Sequence, residues 1–176
     1  MNKTAIQKLA SAAMLFAMGL VLPLATGQIP EIGNMLLPMH IPVLLCGFIC
    51  GWKYGLAVGA LLPIIRSLIF GMPPLYPSAL TMAFELAAYG FLTGFLYMIF
   101  RKKNLTAIYI SLTTAMIAGR IVKGIANAIC YGIADKGYTF MMFISGAFIE
   151  AVPGIIIQLI LIPLVLIAIK NSSNYV

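Results

Sequence analysis

Charge is what this sequence lacks. Charged residues fill 9% of its 176 positions, against about 25% in an ordinary soluble domain. Polar side chains are too few to cover a water-soluble globule, so lipid must take the place of water around most of the chain. Acids are scarcest: four, against eleven bases, for a formal charge of +7. One histidine and one tryptophan are present, and no Gly-x-Ser-x-Gly or His-Glu-x-x-His motif occurs, so triad and zinc-hydrolase chemistry lack their parts. A phosphate-binding P-loop is also missing, so ATP-driven work would need another subunit. The chain reads as no enzyme. Cys46, Cys50 and Cys130 all lie in apolar stretches. Cys46 and Cys50, four apart with His40 upstream, resemble ligands on one helix face but read as small apolar packing residues. No metal, cofactor or disulfide framework is expected.

What the sequence has instead is apolar length: 62% hydrophobic residues and a mean hydropathy of +1.07. A spanning helix needs about 20 mainly apolar residues. The candidates are 5–25, 38–52, 54–71, 78–100, 106–131 and 141–169, which predicts an all-α, polytopic membrane protein of six transmembrane helices in a single domain over 1–176. The first run has lysines before it and Ala25-Thr26-Gly27 after it, like a secretory signal. Its apolar stretch from Leu9 to Ala25 exceeds the usual 7–15-residue signal core, so it reads as the first membrane helix. The second and third runs are parted only by Trp52-Lys53-Tyr54, read as a tight turn.

Positive charge orients these spans. With six helices and both termini cytoplasmic, the inner segments hold Lys3, Lys8, Lys53, Arg101-Lys102-Lys103 and Lys170, and the outer ones only Lys136, beside Asp135. This is a positive-inside distribution, and it assigns the basic excess to the membrane rather than to nucleic acid. Merging the second and third helices would put Arg101-Lys102-Lys103 outside.

Five charged residues remain inside the spans: Arg66, Glu85, Arg120, Lys123 and Glu150. Each costs roughly 2.5–3.5 kcal/mol or more in a bilayer and is a functional candidate by default. Counted at about 1.5 Å per residue from the inner ends, all fall in the outer half. Ser78, Thr81 and Glu85 form an i, i+3, i+7 stripe; Arg120, Lys123 and Asn127 repeat it, and Glu150, Gly154 and Gln158 follow i, i+4, i+8. The three stripes are expected to line an outward-facing polar cavity, with His40 and Tyr131 at its rim. A purely structural reading pairs Arg120 with Glu150 and Arg66 with Glu85, and Lys123 can also snorkel to the surface. Buried pairs barely recover their desolvation cost. The surplus of cations favours an anionic or zwitterionic small solute, with an arginine gripping a carboxylate bidentately. On the first helix Ala10, Ala13 and Ala17 share a face, and Ala13-x-x-x-Ala17 is a small-xxx-small spacing suited to close helix approach.

Small size, six helices, the lysine-bearing start leading into Ala13-x-x-x-Ala17, and the stretch Leu37-Pro38-Met39-His40-Ile41-Pro42-Val43-Leu44-Leu45-Cys46-Gly47 together resemble the substrate-binding S components of energy-coupling factor (ECF) vitamin transporters, over nearly the whole chain. The resemblance implies a prokaryotic plasma-membrane subunit that captures a vitamin or precursor from outside and topples to release it inward. Its implied partners are a transmembrane coupling subunit and two cytoplasmic ATPases, with one S component in a four-subunit complex. It implies Ala13 and Ala17 as the docking face, Thr26–Leu37 as the gate, and the stripes on helices four to six as the binding site. A net-positive pocket, and a lone Trp52 at the cytoplasmic end, favour an acid such as pantothenate over cationic thiamin, with a pyridoxine-type ring next. The competing expectations are a stand-alone proton-coupled carrier using Glu85 and Glu150, and an intramembrane enzyme or structural subunit. A lack of internal repeats speaks against the carrier.

Overall fold

Helix boundaries follow from where backbone groups find or lose partners. The computed structural model describes residues 4–26, 35–101, 104–133 and 139–172. The first helix, α1 (Ala5–Val21), opens with a capping box: Gln7 N–H donates to the Thr4 hydroxyl, and Thr4 N–H to the Gln7 side-chain oxygen. This satisfies two of the N–H groups orphaned at a helix start. Pro23 brings no N–H to the α ladder, and the chain tightens there into a 3₁₀ turn, Leu22–Thr26.

The second and third helices are α2 (His40–Cys50) and α3 (Trp52–Phe70). They are separate, as expected, but the break is one residue, Gly51, rather than Trp52-Lys53-Tyr54. Gly51 has φ +98°, which side chains disfavour and glycine allows. At eleven residues, α2 is about 16 Å long, too short to cross a bilayer alone. Leu37, at φ +51°, turns the chain into it, and its carbonyl accepts from His40 N–H at 3.1 Å.

A wide turn, Leu75–Ala79, runs into α4 (Leu80–Ile99), and α5 (Leu105–Ile133) follows. The expected helix over 141–169 is broken. A short α6 (Phe140–Ile144) passes into a wide turn, Ser145–Ile149, before α7 (Val152–Ser172) begins. Pro153 lies in the first turn of α7, where a missing N–H costs nothing. Five segments are long and apolar enough to cross a membrane: Ala5–Leu24, Trp52–Phe70, Leu75–Ile99, Leu105–Ile133 and Val152–Asn171. The described residues contain no strand. Outward faces are apolar: Ile117, Ile121, Ile125, Ile129 and Ile133 form one exposed stripe along α5, as lipid requires.

Helix α4 is central and packs on α2, α3 and α5. Glycines let it come close. A Cβ on Gly90 would collide with the Gly55 carbonyl, one on Gly55 with the Gly90 carbonyl, and one on Gly59 with the Leu86 carbonyl. A Cβ on Gly47 would lie 2.6 Å from the Gly90 oxygen, and Gly94 abuts the Trp52 backbone. Three helices thus meet backbone to backbone, the approach small residues permit in membranes.

These contacts also fix which helix ends lie together. Gly94 beside Trp52 puts Lys53 and Arg101 at one end. Arg66 donates to the Leu20 carbonyl and Gly19 faces Leu62, so the late part of α1 meets the late part of α3, the two run parallel, and Lys8 joins that end. Gly154 faces Met35 and Leu36, so α7 starts opposite, and Lys170, in its last turn, joins the basic end too. Replacing Gly90 by valine should lower stability by about 1–3 kcal/mol through overpacking. Gly132→Ala, into open space, should be neutral. Thermal unfolding of the detergent-purified variants checks the contrast.

Candidate functional site

Away from the basic end, one carboxylate gathers groups from three helices. Glu85 projects from α4 and is 2% exposed. Its Oε2 lies 2.9 Å from Lys123 Nζ on α5 and 3.5 Å from His40 Nε2 at the start of α2. Tyr89, one turn along α4 and fully buried, donates its hydroxyl to Glu85 Oε1 at 3.4 Å and accepts from Arg120 Nε at 3.2 Å. The His40 and Tyr89 rings meet edge-to-face, centroids 5.4 Å apart.

Local sequence explains the arrangement. Glu85 and Tyr89 are i, i+4 on α4, and Arg120 and Lys123 are i, i+3 on α5, so each pair shares a helix face. Gly119 lacks the Cβ that would strike the Tyr89 ring; one edge of the phenol therefore fits against α5, with its hydroxyl beside Arg120. His40 is held by the sharp turn at Leu37. Tyr89 did not figure among the sequence candidates. The signal was there: extending the Ser78, Thr81, Glu85 stripe by four residues reaches it.

The structure thus joins four of the expected residues, His40, Glu85, Arg120 and Lys123. Thr81 is buried on the same helix and donates its hydroxyl to the carbonyl of half-buried Ser78. Asn127, one turn beyond Lys123, is half-buried. Two residues lie elsewhere. Arg66 is buried, but it grips the Leu20 carbonyl of α1 and lies over the Phe70 ring; it does not pair with Glu85. Glu150 is exposed and accepts from the Ser145 hydroxyl at 3.0 Å, so it does not pair with Arg120. The i, i+4, i+8 count failed because the turn before Val152 interrupts the helix between Glu150 and Gly154. Ala13 and Ala17 are exposed on α1, and Ala17 borders an apolar groove with Met14, Met18 and Val21. Most of the Thr26–Leu37 segment lies outside the described residues, as do Lys3, Lys102, Lys103, Asp135 and Lys136.

Chemically, the layer sets one carboxylate against the cations Lys123 and Arg120, with a phenol and an imidazole between them. Lys123 retains 27% side-chain exposure, which marks the accessible side. No group of three or more potential metal ligands occurs among the described residues.

A family model described as ECF transporter, substrate-specific component, matches residues 7–166. No curated protein and no solved structure matches the chain.

Removing one member of the buried pair strands the other. Glu85→Leu is expected to cost about 3–5 kcal/mol, and Glu85→Leu combined with Lys123→Met to recover part of that loss. A double-mutant cycle on thermal unfolding should return a coupling of about 0.5–3 kcal/mol.

Proposed function

The chain belongs to the substrate-specific components of ECF transporters, membrane subunits that bind substrate for transport, and from that premise we propose that it captures a small acidic solute, a pantothenate-like acid being the best fit. The observation that supports this most directly is the gathering of two cations about one buried carboxylate, Lys123 on Glu85 itself and Arg120 on the Tyr89 hydroxyl that bonds it. A solute carboxylate adds an acceptor for these cations, with Arg120 and Lys123 as its ligands and Tyr89 and His40 shaping the wall. Glu85 holds Lys123 in place in this reading and does not itself grip the solute. Thr81, Ser78 and Asn127 line the approach. A pyridoxine-type ring is the next candidate.

The layer faces outward in this reading. Lys8, Lys53, Arg101 and Lys170 share the opposite end, and basic residues collect on the cytoplasmic side. Both termini are then cytoplasmic, and α2 completes a sixth crossing together with the segment that precedes it. The host membrane is a prokaryotic plasma membrane, as the family implies. Release inward is energised by separate partners, a transmembrane coupling subunit and two ATPase subunits, since the chain has no P-loop of its own. The exposed face at Ala13 and Ala17, with the apolar groove beside it, suits docking of that coupling subunit by close helix approach. The alternative of a proton-coupled carrier needs Glu85 and Glu150 to act together, and the exposure of Glu150 and its bond to Ser145 weigh against it.

Thermal stabilisation of the detergent-purified chain by a panel of B vitamins and precursors tests the capture. A solute at 100 times its dissociation constant adds about 2.7 kcal/mol of apparent stability. An acid should register, thiamin should not, and Arg120→Ala should abolish the response while the variant stays folded. Tight thiamin binding with no response to pantothenate would overturn the reading. The docking face has its own test: Ala17→Trp should leave solute binding intact and abolish co-purification with the coupling subunit.

A further inference from the structure

Helix α7 carries a polar side chain that the charged layer does not use. Gln158 is completely buried, and neither its amide nitrogen nor its amide oxygen has a hydrogen-bond partner among the described residues. A buried polar group left unpaired costs about 1–3 kcal/mol, and native structures seldom retain one without a use. Gln158 has both halves of a primary amide in that state, two donor hydrogens and one acceptor oxygen.

Its position gives the use. One turn before it, Gly154 packs on the Leu36 carbonyl, where a Cβ would come within 3.0 Å. From this contact α7 runs away from its starting end, and the segment it touches leads through Leu37 into His40 and α2. Helix α7 touches both α2 and α5. Gln158 thus follows the Gly154 contact by four residues, as His40 follows Leu36, on a helix that packs on α2 and α5, the helices that carry His40, Arg120 and Lys123.

We propose that Gln158 recognises the neutral part of the solute, and that the solute carries there an amide or similar polar group, able to donate or accept a hydrogen bond, in addition to its acidic group. A primary amide can donate to a carbonyl or hydroxyl oxygen of such a group and accept from its N–H or O–H, whereas an acid without one leaves Gln158 unsatisfied. Arg120 and Lys123 then select charge and Gln158 selects what accompanies it. This rests on the capture of an acidic solute proposed above.

The test uses the full-length chain and two probes: pantothenate, which has a carboxylate and an amide, and lipoate, which has a carboxylate without one. Gln158→Leu keeps the side-chain size and removes the polar atoms. Wild type should prefer pantothenate. The variant should lose about tenfold or more in pantothenate affinity and hold lipoate within about twofold of wild type. Its melting temperature without solute should equal or exceed that of wild type, because an unpaired amide has been removed from the interior. A lower melting temperature with pantothenate binding unchanged makes the amide structural and overturns the proposal alone. An equal loss for both acids does the same, since it signals a collapsed pocket. If wild type binds neither acid, the capture reading falls and this proposal falls with it.

Discussion

At Gly90 the backbone of α4 touches the backbones of α2 and α3, and the spacing of the remaining helices depends on that contact. Lipid tails are as apolar as leucine, so no hydrophobic force drives helices together in a bilayer. Association comes from close packing and from polar contacts across the interface. Gly47, Gly55, Gly59 and Gly94 supply the packing. The close approach also carries Glu85, one turn from Gly90, into reach of His40 on α2 and Lys123 on α5. A wider seam would leave the carboxylate without the partners that make its burial tolerable.

The charged layer binds three helices, but its composition is poorly suited to stability alone. Apolar residues of similar volume often match or exceed a buried ion pair in stability. Here one acid is set against two bases, a phenol and an imidazole. Such a layer holds its donors and cations at fixed positions, as recognition of a small charged solute requires. The exposed isoleucine stripe of α5 and the polar residues Arg120 and Lys123 on its other side give the same helix an apolar face and a charged one.

Much of this was legible beforehand. The apolar runs predicted helices at 5–25, 54–71, 78–100 and 106–131, and the structure places helices there with ends displaced by a few residues. Buried charge singled out Glu85, Arg120 and Lys123, because ionised groups inside apolar runs have few reasons to be there. Tyr89 escaped because a tyrosine in an apolar helix is ordinary until its hydroxyl is seen between Glu85 and Arg120. Glu150 misled because helical spacing was counted across a turn that the apolar pattern conceals. Arg66 misled in another way: its depth is as expected, but its partner is the backbone of α1.

The sequence by itself determined that the chain is helical and lipid-solvated, which helix ends are basic, and which side chains are too costly to be idle. These follow from composition and from the period of one helix, both local properties. Only the tertiary structure decided that Glu85 pairs with Lys123 and His40 rather than Arg66, that α2 is too short to span alone, and that Gln158 is buried with no hydrogen-bond partner among the described residues. Those depend on how helices are rotated and how far they slide past one another. Glycine contacts set both quantities, and they join residues far apart in the chain, where no local period records them.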